Sequence, residues 1–102
     1  MADSSFEATV KCFFAREPFE VPRNARIVQE IAKATASVIG REPNFMGDTP
    51  WMDAALLSAA GTETVVLGPG GGGAHASVEW VDLDTEAQTA QVLVDTAIGY
   101  CA

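Results

Sequence analysis

The sequence predicts a mixed α/β chain, and three observations support this prediction. Residues 6–14 alternate between apolar and polar side chains, which is the period of a half-buried strand. Residues 63–67 form a short apolar run rich in β-branched side chains, typical of a strand covered on both faces. Elsewhere, apolar residues recur at helical spacing. Because the two strands differ in kind, we expect them to belong to two sheets of a larger structure.

The composition limits the class of protein and its partners. The chain has 102 residues, of which 48% are hydrophobic and 20% charged, so it forms at most one small globular domain. Its formal charge of −8 disfavours nucleic acid and anionic membranes as partners. No apolar run reaches the ~18 residues of a membrane span, and no signal peptide is visible. We expect a soluble, cytoplasmic protein that binds neither nucleic acid nor membrane.

The two cysteines, Cys12 and Cys101, lie near opposite ends and form no CxxC pair. They are interpreted as reduced thiols that pack as small core residues, with a single bridge as the alternative.

The first predicted helix runs from Asn24, a plausible N-cap, to about residue 39, with Gly40 at its C-terminal end. The strand before it ends at Arg16-Glu17-Pro18, and an extended connector follows. The apolar face of the helix is predicted to consist of Ile27, Val28, Ile31, Ala34, Thr35 and Val38.

Two further helices are predicted. One begins with Thr49 as N-cap and Pro50 in the first turn, and Gly61 ends it. The other is capped by Asp84 and runs to about Tyr100. Its predicted apolar stripe is Ala87, Ala90, Val94, Ala97 and Cys101, widened by Leu93 and Ile98.

A glycine-rich loop, residues 68–74, carries the most distinctive chemistry. The only histidine, His75, follows it, and Glu79 stands four residues later. The loop is no phosphate-binding P-loop, because no Lys-Ser/Thr pair follows, and no dinucleotide fingerprint, because no helix starts within it. Two interpretations remain: a flexible connector, or a loop whose N–H groups approach a substrate anion or oxyanion.

Spacing alone gives no complete active site and no catalytic residue. A lone histidine is more often structural than a metal ligand, and a catalytic zinc site needs about three protein ligands. Ser58 and Ser77 lack the sharp turn that exposes a nucleophilic serine. Asp53, taken alone, is a carboxylate that favours the start of its helix.

Four stretches in a fixed order nevertheless resemble part of a known enzyme family. The stretches are Trp51–Leu57, Ala60-Gly61, Thr64–Gly70 and Ala74–Val81. They are similar to the C-terminal part of the co-catalytic zinc peptidase and deacylase family, which includes acetylornithine deacetylase, succinyl-diaminopimelate desuccinylase, aminoacylase and glutamate-releasing carboxypeptidases. The family pattern is Trp-Thr-Asp-Ala, a Gly-Ile-Pro turn, a buried strand, Gly-Pro-Gly, and a histidine with a glutamate four residues later.

The resemblance covers residues 45–102 closely and 6–44 more loosely, and it has departures. Met52 stands where the family has threonine, and Thr62-Glu63 where Ile-Pro is common. The family's other zinc ligands and its general-base glutamate come from an N-terminal half, and residues 1–102 contain no His-x-Asp and no Glu-Glu pair.

The resemblance implies an α/β architecture in two parts. Residues 23–102 would be the C-terminal fragment of a three-layer αβα zinc-hydrolase catalytic domain. Residues 1–22 would be the last strand of an α+β lid and dimerisation domain with its connector.

The resemblance also implies the site and its chemistry. His75 would bind one of two zinc ions (other divalent metals being possible) and a glycine run would line the substrate pocket: Gly70, Gly71, Gly72 and Gly73. Asp53 and Glu79 would support the site. The reaction implied is hydrolysis of an N-acyl amino acid or peptide amide by metal-activated water.

The partners implied are the N-terminal half of the parent enzyme, a small acyl-amino-acid or peptide substrate, and further copies in a homo-oligomer. The fragment alone is expected to be inactive. Two competing hypotheses are a non-enzymatic, stand-alone anion-binding or oligomerisation module, and a strand-exchanged oligomer formed because strand 6–14 lacks a mate.

Overall fold

The computed structural model describes residues 3–102, which contain helices and one small sheet. The elements in chain order are α1 (Arg26–Ile39), α2 (Ala54–Ala59), β1 (Gly71–Gly72), β2 (Trp80–Val81) and α3 (Leu83–Cys101). The strands β1 and β2 pair antiparallel, with Gly71 opposite Val81 and Gly72 opposite Trp80. A chain of mixed helix and strand is thus confirmed.

The core lies between α1 and α3, which pack against each other. Its buried apolar side chains are Val28, Ile31, Ala34 and Val92. Val38 and Val65 pack against this cluster from its edge. The helices approach closely at Gly99, where a Cβ atom would lie 2.7 Å from a carboxylate oxygen of Glu30.

Helix α1 confirms the predicted apolar face. Val28, Ile31, Ala34 and Thr35 are buried, and Gly40 ends the helix in the left-handed conformation at φ 73°. The predicted cap is wrong: Ala25 occupies the N-cap position and makes no side-chain hydrogen bond.

Helix α3 differs from its prediction in both cap and buried face. Its N-cap is Asp82, not Asp84. The buried residues are Val92 and Thr96, whereas the predicted stripe is exposed: Ala87, Ala90, Leu93, Val94, Ala97, Ile98 and Cys101. The helix has apolar residues on more than one side, so periodicity did not decide which side meets α1.

Helix α2 is shorter than predicted. It begins at Ala54 with Asp53 as N-cap, so Thr49 and Pro50 lie outside it. Gly61 follows it with φ 91°, as expected of a residue that ends a helix.

The two predicted strands are not formed within the described residues. Residues 6–14 and 63–67 have no strand assignment and no ladder partner within residues 3–102. A strand exists only when a second segment takes up its backbone N–H and C=O groups. An alternating pattern therefore predicts which side chains lie on each face of a strand, but it does not predict which segment pairs with that strand.

The described chain is elongated, measuring 63 × 36 × 19 Å with a radius of gyration of 19.1 Å. A compact domain of this length has a radius of about 13 Å. Many large apolar side chains are exposed, including Phe6, Val10, Phe13 and Phe14.

Cys12 and Cys101 are free thiols, as predicted, but both are exposed and neither packs in the core. None of the helices in residues 3–102 is both long and apolar enough to cross a membrane.

Candidate functional site

The candidate site is the glycine hairpin, residues 68–82, in which β1 and β2 are joined by a turn that carries His75. Residues 73–79 form the connection between the strands. The glycine run that the sequence predicted to be a loop is therefore one arm of a hairpin, and Trp80-Val81 is the other.

Two glycines are required by this geometry. A Cβ atom on Gly71 would overlap the carbonyl oxygen of Trp80 across the ladder. Gly73 has φ 72°, and a Cβ atom there would overlap the carbonyl oxygen of Val78. Both obstacles are backbone atoms, which cannot move aside cheaply. Gly71 and Gly73 therefore have a structural reason to be glycine, whatever they bind.

The hairpin is anchored to the first turn of α3. The hydroxyl of Thr85 accepts a hydrogen bond from the Gly70 N–H at 2.9 Å, and the Asp82 N–H donates to the Gly70 carbonyl at 2.8 Å. The Asp82 carboxylate accepts from the N–H groups of Asp84 and Thr85 and so caps the helix. The start of α3 and the start of β1 therefore form one unit.

Sequence reasoning missed the roles of Asp82 and Thr85. Asp82 and Asp84 are both acceptable caps by residue type, so their order alone did not choose between them. The signal that favours Asp82 is the acidic first turn after it, since Asp84 and Glu86 suit the positive end of the helix dipole.

His75 occupies the turn at the end of the hairpin in a left-handed conformation, with φ 64°. The turn is closed by a 2.8 Å hydrogen bond from the Ala76 N–H to the Gly73 carbonyl. Positive φ is uncommon for residues other than glycine, although histidine is among those that adopt it more readily. Such conformations often occur at functional sites. The side chain is exposed.

The backbone N–H groups of the glycine run are partly engaged. The Gly70 N–H donates to Thr85, and Gly71 and Gly72 belong to the ladder. The Trp80 indole lies beside Gly72, so a Cβ atom on that glycine would be 3.0 Å from its Nε1. A substrate that contacts these glycines, as predicted, would therefore compete with the backbone hydrogen bonds that hold the hairpin together.

The two predicted supporting carboxylates lie in different places. Glu79 precedes β2, and its Cα would be 3.4 Å from a Cβ atom on Gly73, so it belongs to the hairpin. Asp53 is the exposed N-cap of α2, and its carbonyl accepts from the Leu56 and Leu57 N–H groups. Within residues 3–102, no three His, Cys, Asp or Glu side chains form a group that could hold a metal ion.

A polar cluster that the sequence did not predict lies at the opposite end of α3. The Tyr100 hydroxyl donates to the Glu63 carboxylate at 2.8 Å, and that carboxylate also accepts from the Ile27 N–H at 3.3 Å. Arg26 donates to the Tyr100 carbonyl at 2.8 Å and lies over its ring. The hydrogen bond to Glu63 is the main reason that the pKa of Tyr100 is raised.

An open apolar groove of about 380 Å³ runs between α1, residues 62–67 and α3. The Thr96 hydroxyl lines it and is buried without a hydrogen-bond partner within the described residues. The groove does not include His75.

Comparison with known proteins gives one result. Residues 4–98 match the model of peptidase family M20/M25/M40, a stretch that covers more than nine-tenths of the chain and includes Asp53, His75 and Glu79. The match is to the family as a whole and does not select one of its activities. Neither a curated protein nor a solved structure matches the chain.

Proposed function

The chain belongs to peptidase family M20/M25/M40, and on that basis we propose that it is the C-terminal part of a zinc-dependent amidohydrolase or exopeptidase. The substrate class in this proposal is an N-acyl amino acid or a peptide amide. The observation that carries the proposal is the family match across residues 4–98.

The chain's own residues do not fit a complete zinc centre. One exposed histidine stands at the end of the hairpin, and residues 3–102 bring no further group of ligands together. About three protein ligands are needed for a catalytic zinc site. The proposal therefore assigns one ligand, His75, to this chain and assigns the others to the N-terminal half of the parent enzyme.

The hairpin suits a ligand that must be held in a fixed place. The positive φ of His75 and the Gly73–Ala76 hydrogen bond fix the backbone of the turn. The bonds from Gly70 to Thr85 and Asp82 fix the base of the hairpin on α3. A ligand held by a rigid backbone loses less conformational entropy when it binds.

The remaining site residues are assigned by the same proposal. Gly70–Gly73 offer backbone without side chains, which would let a substrate carboxylate approach closely. Glu79, beside Gly73, would hold the turn, and Asp53 would support the pocket from the start of α2. These roles require the rest of the site to be present.

The elongated shape and exposed apolar surface of the chain support the proposal that it packs against the N-terminal half of a parent enzyme. The radius of gyration of 19.1 Å exceeds that of a compact domain of this size, and the core is confined to the α1–α3 contact. Large apolar side chains exposed along the chain would then be covered by the rest of the parent enzyme. The isolated chain is proposed to be inactive, because the proposal assigns it one zinc ligand and no general base.

The test compares zinc binding and activity with and without the imidazole. In the complete parent enzyme, His75→Ala is expected to lower bound zinc, measured by elemental analysis, and to reduce amide hydrolysis by at least about a hundredfold. Ser77→Ala, in the same exposed turn, is the matched control and should leave both unchanged. Full zinc content and full activity after His75→Ala would refute the ligand assignment.

A second measurement separates the enzyme fragment from a stand-alone anion-binding module. The isolated chain, titrated with zinc, should bind more weakly than micromolar because it supplies one ligand. Titration with acetate or phosphate should leave the tryptophan fluorescence, to which Trp51 and Trp80 both contribute, unchanged. Saturable anion binding without metal would favour the module, although the Gly70 N–H that such a module needs already donates to Thr85.

A further inference from the structure

We propose that Trp80 determines substrate specificity, because its indole forms an apolar wall beside the glycine run and receives an aromatic group of the substrate. This inference rests on the proposed function, which assigns Gly70–Gly73 to the substrate pocket, and it narrows the class of substrate. That class is an N-acyl amino acid or peptide amide that carries a neutral aromatic side chain.

The indole of Trp80 lies directly on the glycine run. Trp80 is the ladder partner of Gly72. A Cβ atom on Gly72 would be 3.0 Å from the indole Nε1 and 3.1 Å from both Cε2 and Cζ2. At Gly71 and Gly73 the nearest atoms to such a Cβ are instead backbone atoms. The indole therefore fills the space that a side chain at residue 72 would take.

Most of this side chain is nevertheless open to an incoming group. Trp80 is 59% exposed, whereas tryptophan is on average a highly buried residue. A side chain that only stabilised the ladder would gain most from burial. Trp80 instead places part of its ring against Gly72 and leaves the rest at the surface. A ligand that reached the glycine run would therefore meet an aromatic surface beside it.

The glycine run itself offers a ligand only backbone. Its four residues have no side chains, so they allow close approach but contribute little apolar area. Pockets that bind small molecules are lined mostly by apolar and aromatic side chains, with a few polar groups. Trp80 supplies the apolar surface that the run lacks. An aromatic ring stacks against an indole more favourably than its buried area alone accounts for.

The charges around the hairpin favour a neutral aromatic group over a charged one. All six lysine and arginine residues lie within residues 1–41, so residues 42–102 contain acidic residues and no lysine or arginine. A negatively charged substrate side chain would find no such cation in this part of the chain and would be repelled. Asp82, two positions along from Trp80, already accepts two helix N–H hydrogen bonds as the cap of α3. Its carboxylate is therefore engaged with the backbone and not with a substrate cation.

The first experiment observes the indole directly and needs neither metal nor activity. The indole N–H resonances of Trp51 and Trp80 are assigned with Trp51→Phe and followed by NMR while the chain is titrated with N-acetyl-phenylalanine amide. The Trp80 resonance should shift saturably, whereas the Trp51 resonance should not move. The amides of N-acetyl-alanine and Nα-acetyl-lysine are the matched probes. Each should shift the Trp80 resonance less than about a third as far, because neither carries a ring that stacks.

The second experiment measures kcat/KM in the complete parent enzyme for N-acetyl-phenylalanine and N-acetyl-alanine and takes their ratio. Trp80→Leu keeps an apolar side chain against Gly72 but removes the ring, so it should lower this ratio by about fivefold or more. Trp80→Phe keeps a ring and should hold the ratio within about twofold. Val78→Ala, at an exposed apolar position of the same hairpin, is the control and should leave the ratio unchanged.

Gly72→Ala separates a specificity role from a structural one. Its added Cβ would displace the indole while leaving Trp80 in the chain, so it should also lower the ratio. Gly72→Ala combined with Trp80→Leu should lower the ratio no further than the more severe single variant, because both changes remove the same contact. If Trp80 only held the hairpin together, its variants would reduce kcat/KM for both substrates equally and leave the ratio unchanged.

The outcomes distinguish this inference from the proposed function. The specificity role of Trp80 would be overturned by equal shifts of both indoles, by no shift at Trp80, by a larger shift with the lysine amide, or by an unchanged ratio in Trp80→Leu. Each of these could occur while His75→Ala still removes zinc. Hydrolysis of neither acyl amino acid would overturn the substrate class. Full zinc content in His75→Ala would refute the metal ligand, and the shift of the Trp80 resonance in the isolated chain would still decide the inference about Trp80.

Discussion

Helix α1 and residues 6–14 are both amphipathic in sequence, yet only the helix forms a packed element within this chain. The helix makes its backbone hydrogen bonds internally and needs only an apolar surface, which α3 supplies. Residues 6–14 need a second segment to accept and donate their backbone bonds, and residues 3–102 supply none. A short chain can therefore complete its helices before it can complete its strands.

The largest expected effect separates these two regions with the same substitution. Val28→Ala removes methyl groups from a site that is 2% exposed, and it should lower the free energy of unfolding by about 2 kcal/mol. Val10→Ala, at 98% exposure, should change it by less than about 0.5 kcal/mol. Urea denaturation followed by circular dichroism measures both. Equal losses would mean that residues 6–14 belong to the core.

The next effect concerns the one strand pair that the chain does complete. Gly71→Ala should open the β1–β2 ladder, because the added Cβ overlaps the Trp80 carbonyl. Amide hydrogen exchange at Trp80 and Val81 should then quicken by about tenfold or more. Gly68→Ala is the control, since open space surrounds its Cβ position. If both variants exchange alike, the ladder does not depend on close approach.

A smaller effect tests which aspartate begins α3. Asp82→Ala removes the acceptor for two helix N–H groups and should cost about 1 kcal/mol. Asp84→Ala removes only a favourable charge in the first turn and should cost about 0.5 kcal/mol or less. Thermal unfolding distinguishes them. A larger loss at Asp84 would restore the cap that the sequence predicted.

The smallest effect is electrostatic and lies where residues 62–67 meet both helices. The Glu63 carboxylate accepts a hydrogen bond from the Tyr100 hydroxyl. This bond favours the neutral phenol and raises the pKa of Tyr100 from its ordinary value of 10.0. The Tyr100–Glu63 hydrogen bond therefore stabilises the fold fully below the pKa of tyrosine in the unfolded chain, about 10. This stabilisation is lost as the pH rises through the higher pKa of Tyr100 in the folded chain.

Tyr100 is the only tyrosine, so its ionisation can be followed directly by absorbance near 295 nm. Glu63→Gln should move the midpoint of that titration to lower pH. Unfolding measured above pH 10 should show less loss of stability in Tyr100→Phe than in the unchanged chain. An unchanged midpoint in Glu63→Gln would rule out the hydrogen bond as the cause.

The sequence pattern located all three helices, because a helix makes its backbone hydrogen bonds within one short segment. The spacing of Ile31, Ala34 and Val38 identified α1, and Gly40 ended it as expected. The predicted buried face of α3 was wrong, because Val92 and Val94 are equally apolar and lie on different sides of the helix. Which valine is buried depends on where α1 lies, and the α3 sequence contains no information about that position.

The candidate site was located by sequence but not assembled by it. The glycine run, His75 and Glu79 fall in one hairpin, as their closeness in sequence suggested. The pairing of Gly71 with Val81 and the bond from Gly70 to Thr85 join residues that are 10 and 15 positions apart. The metal, substrate and supporting roles of the predicted residues stay predictions, because residues 3–102 bring no three metal-binding side chains together.

The left-handed backbone at His75 has a consequence for protein engineering. Glycine adopts this conformation without strain, so His75→Gly should leave stability unchanged or raise it by up to about 1 kcal/mol. The same change would remove the imidazole that the proposed function requires. Selection for thermal stability and selection for activity would then act in opposite directions at one position. A library of variants at residue 75, sorted separately for each property, would return different amino acids.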